Sequence, residues 1–150
     1  EACLNAGKRL CSDDEWLGAC RGKKPSTYPY GDEHVAGRCN DKGVSSFNAL
    51  YGLPGTPPPQ EAYSFDNMNN PQLNQMAGTL AKSGQFKKCK SSYGVYDMVG
   101  NLHEWTAAKS GTFRGGYYLD VRINGDGCEY KTTAHNGRYH DYSTGFRCCK

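Results

Sequence analysis

Apolar positions along this chain fall in short, irregular groups rather than long periodic runs. The clearest helical pattern is Trp16, Ala19 and Cys20, at i, i+3 and i+4. Ser12-Asp13-Asp14-Glu15 precedes it. Ser followed three residues later by Glu forms a capping box, and the two Asp suit the positive end of a helix dipole. Gly22 closes the pattern, so a short amphipathic helix is predicted over residues 12–21. Cys3 and Leu4 read as the last turn of a helix that stops at Gly7. Strands are predicted at Leu102–Thr106, at Thr112–Tyr118 and at Gly145–Cys149. The Gly115-Gly116 pair in the second strand marks a bulge or a close backbone approach. Between Lys23 and Gly84 little is periodic. Pro57-Pro58-Pro59 sits in its middle, and Leu73–Leu80 reads as one short helix or turn. About 60 structureless residues inside a compact domain need pinning, by disulfides or by metal ions.

Composition narrows the class. The chain has 150 residues, the size of one domain spanning 1–150. Lys and Arg total 18 against 15 Asp and Glu, a formal net charge of +3 that argues against a nucleic-acid partner. Eleven Tyr and five Phe argue against disorder. No apolar run approaches the ~20 residues of a membrane-spanning helix. The 19 Gly and 7 Pro predict a fold dominated by loops. Eight Cys with no C-x-x-C spacing, and with Cys148 and Cys149 adjacent, predict a disulfide framework. That places the chain outside reducing compartments: secreted, periplasmic or on a cell surface. No Asn-x-Ser/Thr sequon is present.

Three stretches carry candidate chemistry. Asp97-Met98-Val99-Gly100-Asn101-Leu102-His103-Glu104 sets two carboxylates around a glycine turn. A hard cation such as calcium takes six to eight oxygens from carboxylates and backbone carbonyls, which such a turn can supply. Two solvated acids beside a turn is the competing reading, and the residues alone leave both open. His135 and His140 lie five apart, without an evident third ligand for a metal. Between Tyr117 and Tyr142, Tyr117, Tyr118, Asp120, Arg138, Tyr139 and His140 have the composition of a recognition surface. The same tyrosines would also serve to cover a core with their polar tips in water. No nucleophile-elbow motif supports a hydrolase.

Gly-Val-Tyr-Asp-Met-Val-Gly-Asn-Leu-His-Glu-Trp (94–105), Phe-Arg-Gly-Gly (113–116) and Gly-Phe-Arg-Cys (145–148) resemble the formylglycine-generating enzyme family, also called sulfatase-modifying factors. Ala-Gly-Lys-Arg-Leu (6–10), Glu15-Trp16, Cys20-Arg21-Gly22 and Tyr28-Pro29-Tyr30-Gly31-Asp32 fit the same order. The resemblance implies an α+β, C-type-lectin-like fold with sparse regular structure, lacking the family's N-terminal portion. It implies one or two calcium ions. The first would be held by the side chains of Asp97 and Glu104 and the carbonyls of Gly100 and Leu102. A second falls near Asn40, Asp41, Asp66 and Met68.

Members of that family oxidise a cysteine to formylglycine with O2 and a copper(I) ion on two thiolates, a soft-metal preference. Here Arg114-Gly115-Gly116 is followed by Tyr117 instead of Ser. The first copper cysteine falls on Asp120, the second on Cys128 across an insertion, and the family's Trp before the motif Glu is His103. Copper is therefore not expected, and Cys128 remains the one candidate catalytic thiol. The resemblance also implies a Cys3–Cys148 bridge. It leaves Cys20 without its family partner, whose position falls near Thr132 or Thr133. Pairing Cys20 with Cys39, Cys11 with Cys149 and Cys89 with Cys128 completes a set. The expected function is a calcium-stabilised module that binds a polypeptide or glycan, or serves a structural role, as part of a longer chain or surface assembly. The alternative is a formylglycine-generating oxidase or a related non-heme metal oxygenase acting on a cysteine-containing substrate.

Overall fold

The computed structural model describes residues 1–150. Its helices are short: α1 at Ala2–Asn5, α2 at Asp13–Arg21, α3 at Ser46–Tyr51 and α4 at Phe65–Met68. None is long and apolar enough to cross a membrane. The strands are β1 at Arg9–Leu10, β2 at His103–Trp105, β3 at Phe113–Arg114, β4 at Lys131–Thr132, β5 at Thr144–Phe146 and β6 at Cys148–Cys149. Of 65 backbone hydrogen bonds, 48 lie in turns, loops and caps, so loop-to-loop bonding carries the fold. The fold is α+β with little regular structure.

Helix α2 starts as its sequence dictates. The Ser12 hydroxyl accepts the Glu15 N–H, and the Glu15 carboxylate accepts the Ser12 N–H. Its buried face presents Trp16 and Cys20. Strands β4, β3, β2 and β5 form the larger sheet in that order, antiparallel except for the parallel β2–β5 pair. The smaller sheet joins β1 to β6, pairing Arg9 with Cys149 and Leu10 with Cys148. The expected single terminal strand is thus two strands in different sheets, broken at Arg147. The expected strand at Thr112–Tyr118 is only Phe113–Arg114. Gly116 explains its end: its φ is +68°, and a Cβ there would lie 2.2 Å from the Asp120 carbonyl oxygen.

Disulfides occupy the centre of the main core. Trp16, Tyr28, Met98, Val99 and Val121 pack around Cys20, Cys39, Cys89 and Cys128, all four cysteines fully buried. The bonds are Cys3–Cys148, Cys11–Cys149, Cys20–Cys128 and Cys39–Cys89. Two expected pairings, Cys20–Cys39 and Cys89–Cys128, are therefore exchanged. Nearness in sequence suggested Cys39 for Cys20. Instead, α2 packs on the turn at Gly127–Glu129, which brings Cys128 against Cys20.

The middle of the chain is more ordered than its lack of periodicity suggested. Helix α3 is capped by Ser45 and α4 by Ser64. A 3-10 turn at Pro71–Asn74 has Asn70 as its cap and proline at its first position, where a missing N–H costs nothing. The expected Leu73–Leu80 element is this earlier, shorter turn. Phe47, Ala62 and Leu73 form a small second core, with Tyr142 packed against it.

Candidate functional site

The turn leading into β2 is set by backbone conformation. Gly100 has φ +74°, and a Cβ there would meet the Asn40 carbonyl oxygen at 2.2 Å, so only glycine fits. Asp97 and Asn101 also sit at positive φ, +58° and +65°, which these two residue types tolerate better than most. The Asn101 side-chain oxygen accepts from Asn40 Nδ2 and from the Ala81 N–H, both at 2.9 Å. Those bonds tie three loops to one side chain.

Asp97, Leu102, Glu104, Lys87, Tyr96 and Arg147 line a cleft of about 650 Å³ beside this turn. Asp97 Oδ2 accepts the Gly84 N–H at 2.6 Å. Glu104 is buried and accepts Trp16 Nε1 at 2.6 Å. Both of its oxygens also accept the Arg147 guanidinium fork, each at 2.5 Å. Nothing in the sequence pattern paired Arg147 or Trp16 with Glu104, although each lies in a motif singled out there. The carbonyls of Gly100 and Leu102 accept no hydrogen bond. Nowhere do three His, Cys, Asp or Glu side chains gather as a metal cluster, so a cation at this turn would depend on those carbonyls.

The second predicted oxygen set is not brought together. Asp41 holds the Gly37 N–H at 2.6 Å and His34 Nε2 at 2.8 Å, and the Asn40 amide donates to Thr79 and Asn101. Asp66 is an exposed residue of α4, and the Met68 carbonyl accepts the Tyr142 N–H at 2.9 Å. These groups serve separate structural contacts.

On the other side of β2, His103 is buried in an aromatic cluster. Its ring stacks on Tyr117 at 4.8 Å and packs against Phe113 and Tyr130. The ring nitrogens face Ser143 Oγ at 3.4 Å and Tyr130 Oη at 3.3 Å. Burial pushes the imidazole down to about 4, against the opposing pull of Asp141 and Asp120, so His103 is neutral near pH 7. Burial likewise pushes the Tyr130 hydroxyl up to about 12. Neither group is poised for acid–base chemistry at neutral pH.

The six residues of the expected recognition surface divide. Tyr118 is fully buried with its hydroxyl 2.9 Å from Ser46 Oγ, so it belongs to the interior and not to a ligand surface. Its apolar ring and single satisfied hydroxyl suit it to that place. Asp120 Oδ1 accepts the N–H groups of Arg122 and Ile123 at 2.9 and 3.0 Å and so folds its own loop. Tyr117 is half-buried against His103. Tyr139 stacks on His135 at 3.8 Å and donates to Asp141 at 2.6 Å. Arg138 and His140 are exposed. His135 and His140 are thus drawn to different neighbours, Tyr139 and Phe65.

The model of the sulfatase-modifying factor enzyme 1-like domain matches residues 2–150. The chain belongs to this family. It is 25% identical over 166 residues to a Bos taurus protein named inactive C-alpha-formylglycine-generating enzyme 2, covering 97% of this chain and 45% of that protein. The Mus musculus protein of the same name is 26% identical over 163 residues, covering 97% of this chain and 44% of that protein. A Mycobacterium tuberculosis protein named formylglycine-generating enzyme is 29% identical over 104 residues, covering 69% of this chain and 28% of that protein. The chain therefore spans less than half the length of these relatives.

Within the sulfatase-modifying factor fold, a copper site needs thiolates. All eight cysteines of this chain are in disulfides. Cys128, the candidate catalytic thiol, is bonded to Cys20 and fully buried. It fills the partner role that the resemblance had left vacant near Thr132 or Thr133. The residues present do not fit copper(I).

Proposed function

We propose that this chain is a non-catalytic binding or structural module of the sulfatase-modifying factor family, held in shape by four disulfides and one calcium ion. One observation carries the reading: no thiol is free where a soft metal would need two, and Asp120 stands at the first of those positions. The names of the bovine and mouse relatives agree with it. Four disulfides suit a secreted, periplasmic or surface-displayed protein. The ligand class in keeping with the exposed Arg138 and His140 side chains beside Tyr139 is a polypeptide or glycan.

For calcium, the residues that would hold the ion are Asp97, Gly100, Leu102 and Glu104. Asp97 Oδ1 and the Gly100 and Leu102 carbonyls are uncommitted, and Glu104 retains acceptor capacity beyond the Arg147 fork. A hard cation there would supply charge and rigidity to the turn and no chemistry. The expected outcome is a melting temperature raised by calcium and lowered by chelator, with that difference lost in Asp97→Ala. A calcium concentration a hundredfold above Kd adds about 2.7 kcal/mol of stability.

The catalytic question has its own assay. The chain, incubated with copper and a Cys-x-Pro-x-Arg peptide, is expected to yield no aldehyde by mass spectrometry. Turnover, or a free Cys128 in non-reducing peptide maps, would restore the oxidase reading.

A further inference from the structure

A cleft of about 660 Å³ shares no lining residue with either place described above. One wall is the chain leaving α2, with Lys23 and Lys24. The other is the turn after Cys89, with Lys90, Ser91 and Ser92. The walls touch: the Lys23 N–H donates to Ser92 Oγ at 2.7 Å. Each is anchored by a core disulfide, Cys20–Cys128 beneath the first and Cys39–Cys89 beneath the second. Both walls are thus tied to the core.

Two independent observations say that it is unfinished. First, Lys23, Lys24 and Lys90 form no ion pair, whereas Arg21 beside them is bound to Glu129. Lys90 Nζ lies 4.9 Å from the Tyr96 ring centroid and Lys23 Nζ 5.9 Å from that of Tyr93, so each of these two ammonium groups rests by an aromatic face and has no anionic partner. Asp32 is the one carboxylate on the lining, and its Oδ1 already accepts the Thr27 N–H. Second, Ser91 is only 3% exposed, and its Oγ has no hydrogen-bond partner. Its backbone is fixed by bonds to Val95 and Gly94, so the hydroxyl is left over on a cleft lining that also carries Lys23, Lys24 and Lys90. A buried hydroxyl without a partner is costly and rare in native folds.

We propose that this cleft is a binding site for a sulfate or phosphate group carried on a sugar-sized ligand. Compact ammonium charges on flexible stems suit a tetrahedral oxyanion, which lacks the plane that an Arg fork matches. The Ser91 hydroxyl completes the set as the donor nearest the core. The volume is in the range of small-molecule sites, which leaves room for the group that bears the ester.

The test is a titration of the disulfide-bonded, 15N-labelled chain with sodium sulfate, sodium phosphate, glucosamine 6-sulfate and glucose 6-phosphate, each matched in ionic strength with chloride. Saturable amide shifts are expected at residues 23–24 and 90–92. Lys23→Gln combined with Lys90→Gln should weaken binding about tenfold or more, and Ser91→Ala by several-fold. Lys42→Gln, an exposed lysine outside the cleft, should leave affinity unchanged. The lysine side chains replaced are exposed, so the double variant retains its fold. Tighter binding of glucosamine 6-sulfate assigns the site to sulfated sugars, and of glucose 6-phosphate to phosphorylated ones. Shifts that chloride reproduces, shifts that do not saturate, or undiminished affinity in the double variant would each overturn the proposal.

Discussion

The turn before β2, residues 97–102, and the stretch after β3, residues 117–128, flank the same sheet and are held by opposite means. The first is shaped by backbone: positive φ at Asp97, Gly100 and Asn101, with Asn101 bonded to Asn40 and Ala81. The second is shaped by side chains: Tyr117 on His103, Tyr118 on Ser46, Asp120 on its own loop and Cys128 on Cys20. A backbone-shaped turn tolerates few sequences and keeps its form. A region held by side-chain pairs can exchange one set of partners for another while the sheet persists. At the two positions that the resemblance assigns to copper thiolates, this second region carries Asp120 and a Cys128 bonded to Cys20.

The difference can be broken open experimentally. The largest loss should follow Cys20→Ala with Cys128→Ala, which opens a loop of 108 residues. About 4–5 kcal/mol of stability should disappear in urea denaturation, with the 117–128 stretch losing amide protection first. Glu104→Ala should come next, at about 3–4 kcal/mol, because it strands the Arg147 guanidinium and the Trp16 N–H. Adding Arg147→Met to Glu104→Ala should recover part of that loss.

The third test is pH. His103 ionises near pH 4 in the fold, below its ordinary value of 6.5. Above pH 6.5 neither state holds the proton, so the residue costs nothing. As pH falls from 6.5 toward 4, only the unfolded chain gains the proton and stability drops, by about 3 kcal/mol at most. Below pH 4 the loss levels off. In His103→Phe this part of the pH dependence should vanish from melting curves taken between pH 4 and 7. The smallest effect should be Tyr118→Phe, about 1 kcal/mol, since it leaves Ser46 Oγ unpaired, with Tyr117→Phe smaller still.

Local rules made much of the fold legible. The capping box before Trp16, the stop after Arg21 and the glycine turn before Glu104 each follow from residues within a few positions of one another. Pairings across long separations did not: Cys20 meets Cys128, Glu104 meets Arg147 and Asp13 meets Arg114 only once loops without periodicity have closed. The same holds for Tyr118, whose composition suits a wet surface and a buried hydroxyl equally well. The basic cleft was hidden for the same reason, since its two walls, distant in sequence, meet through the Lys23 N–H bond to Ser92 Oγ.

The β1–β6 ladder has a mechanical consequence. Cys3 and Cys11 near one end are bonded to the neighbouring Cys148 and Cys149 at the other. A pull applied between Glu1 and Lys150 would load sulfur–sulfur bonds a few residues in, while the interior felt almost no tension. Stretched between its ends, the oxidised molecule should lengthen by only those short tails, and full extension should require a reductant.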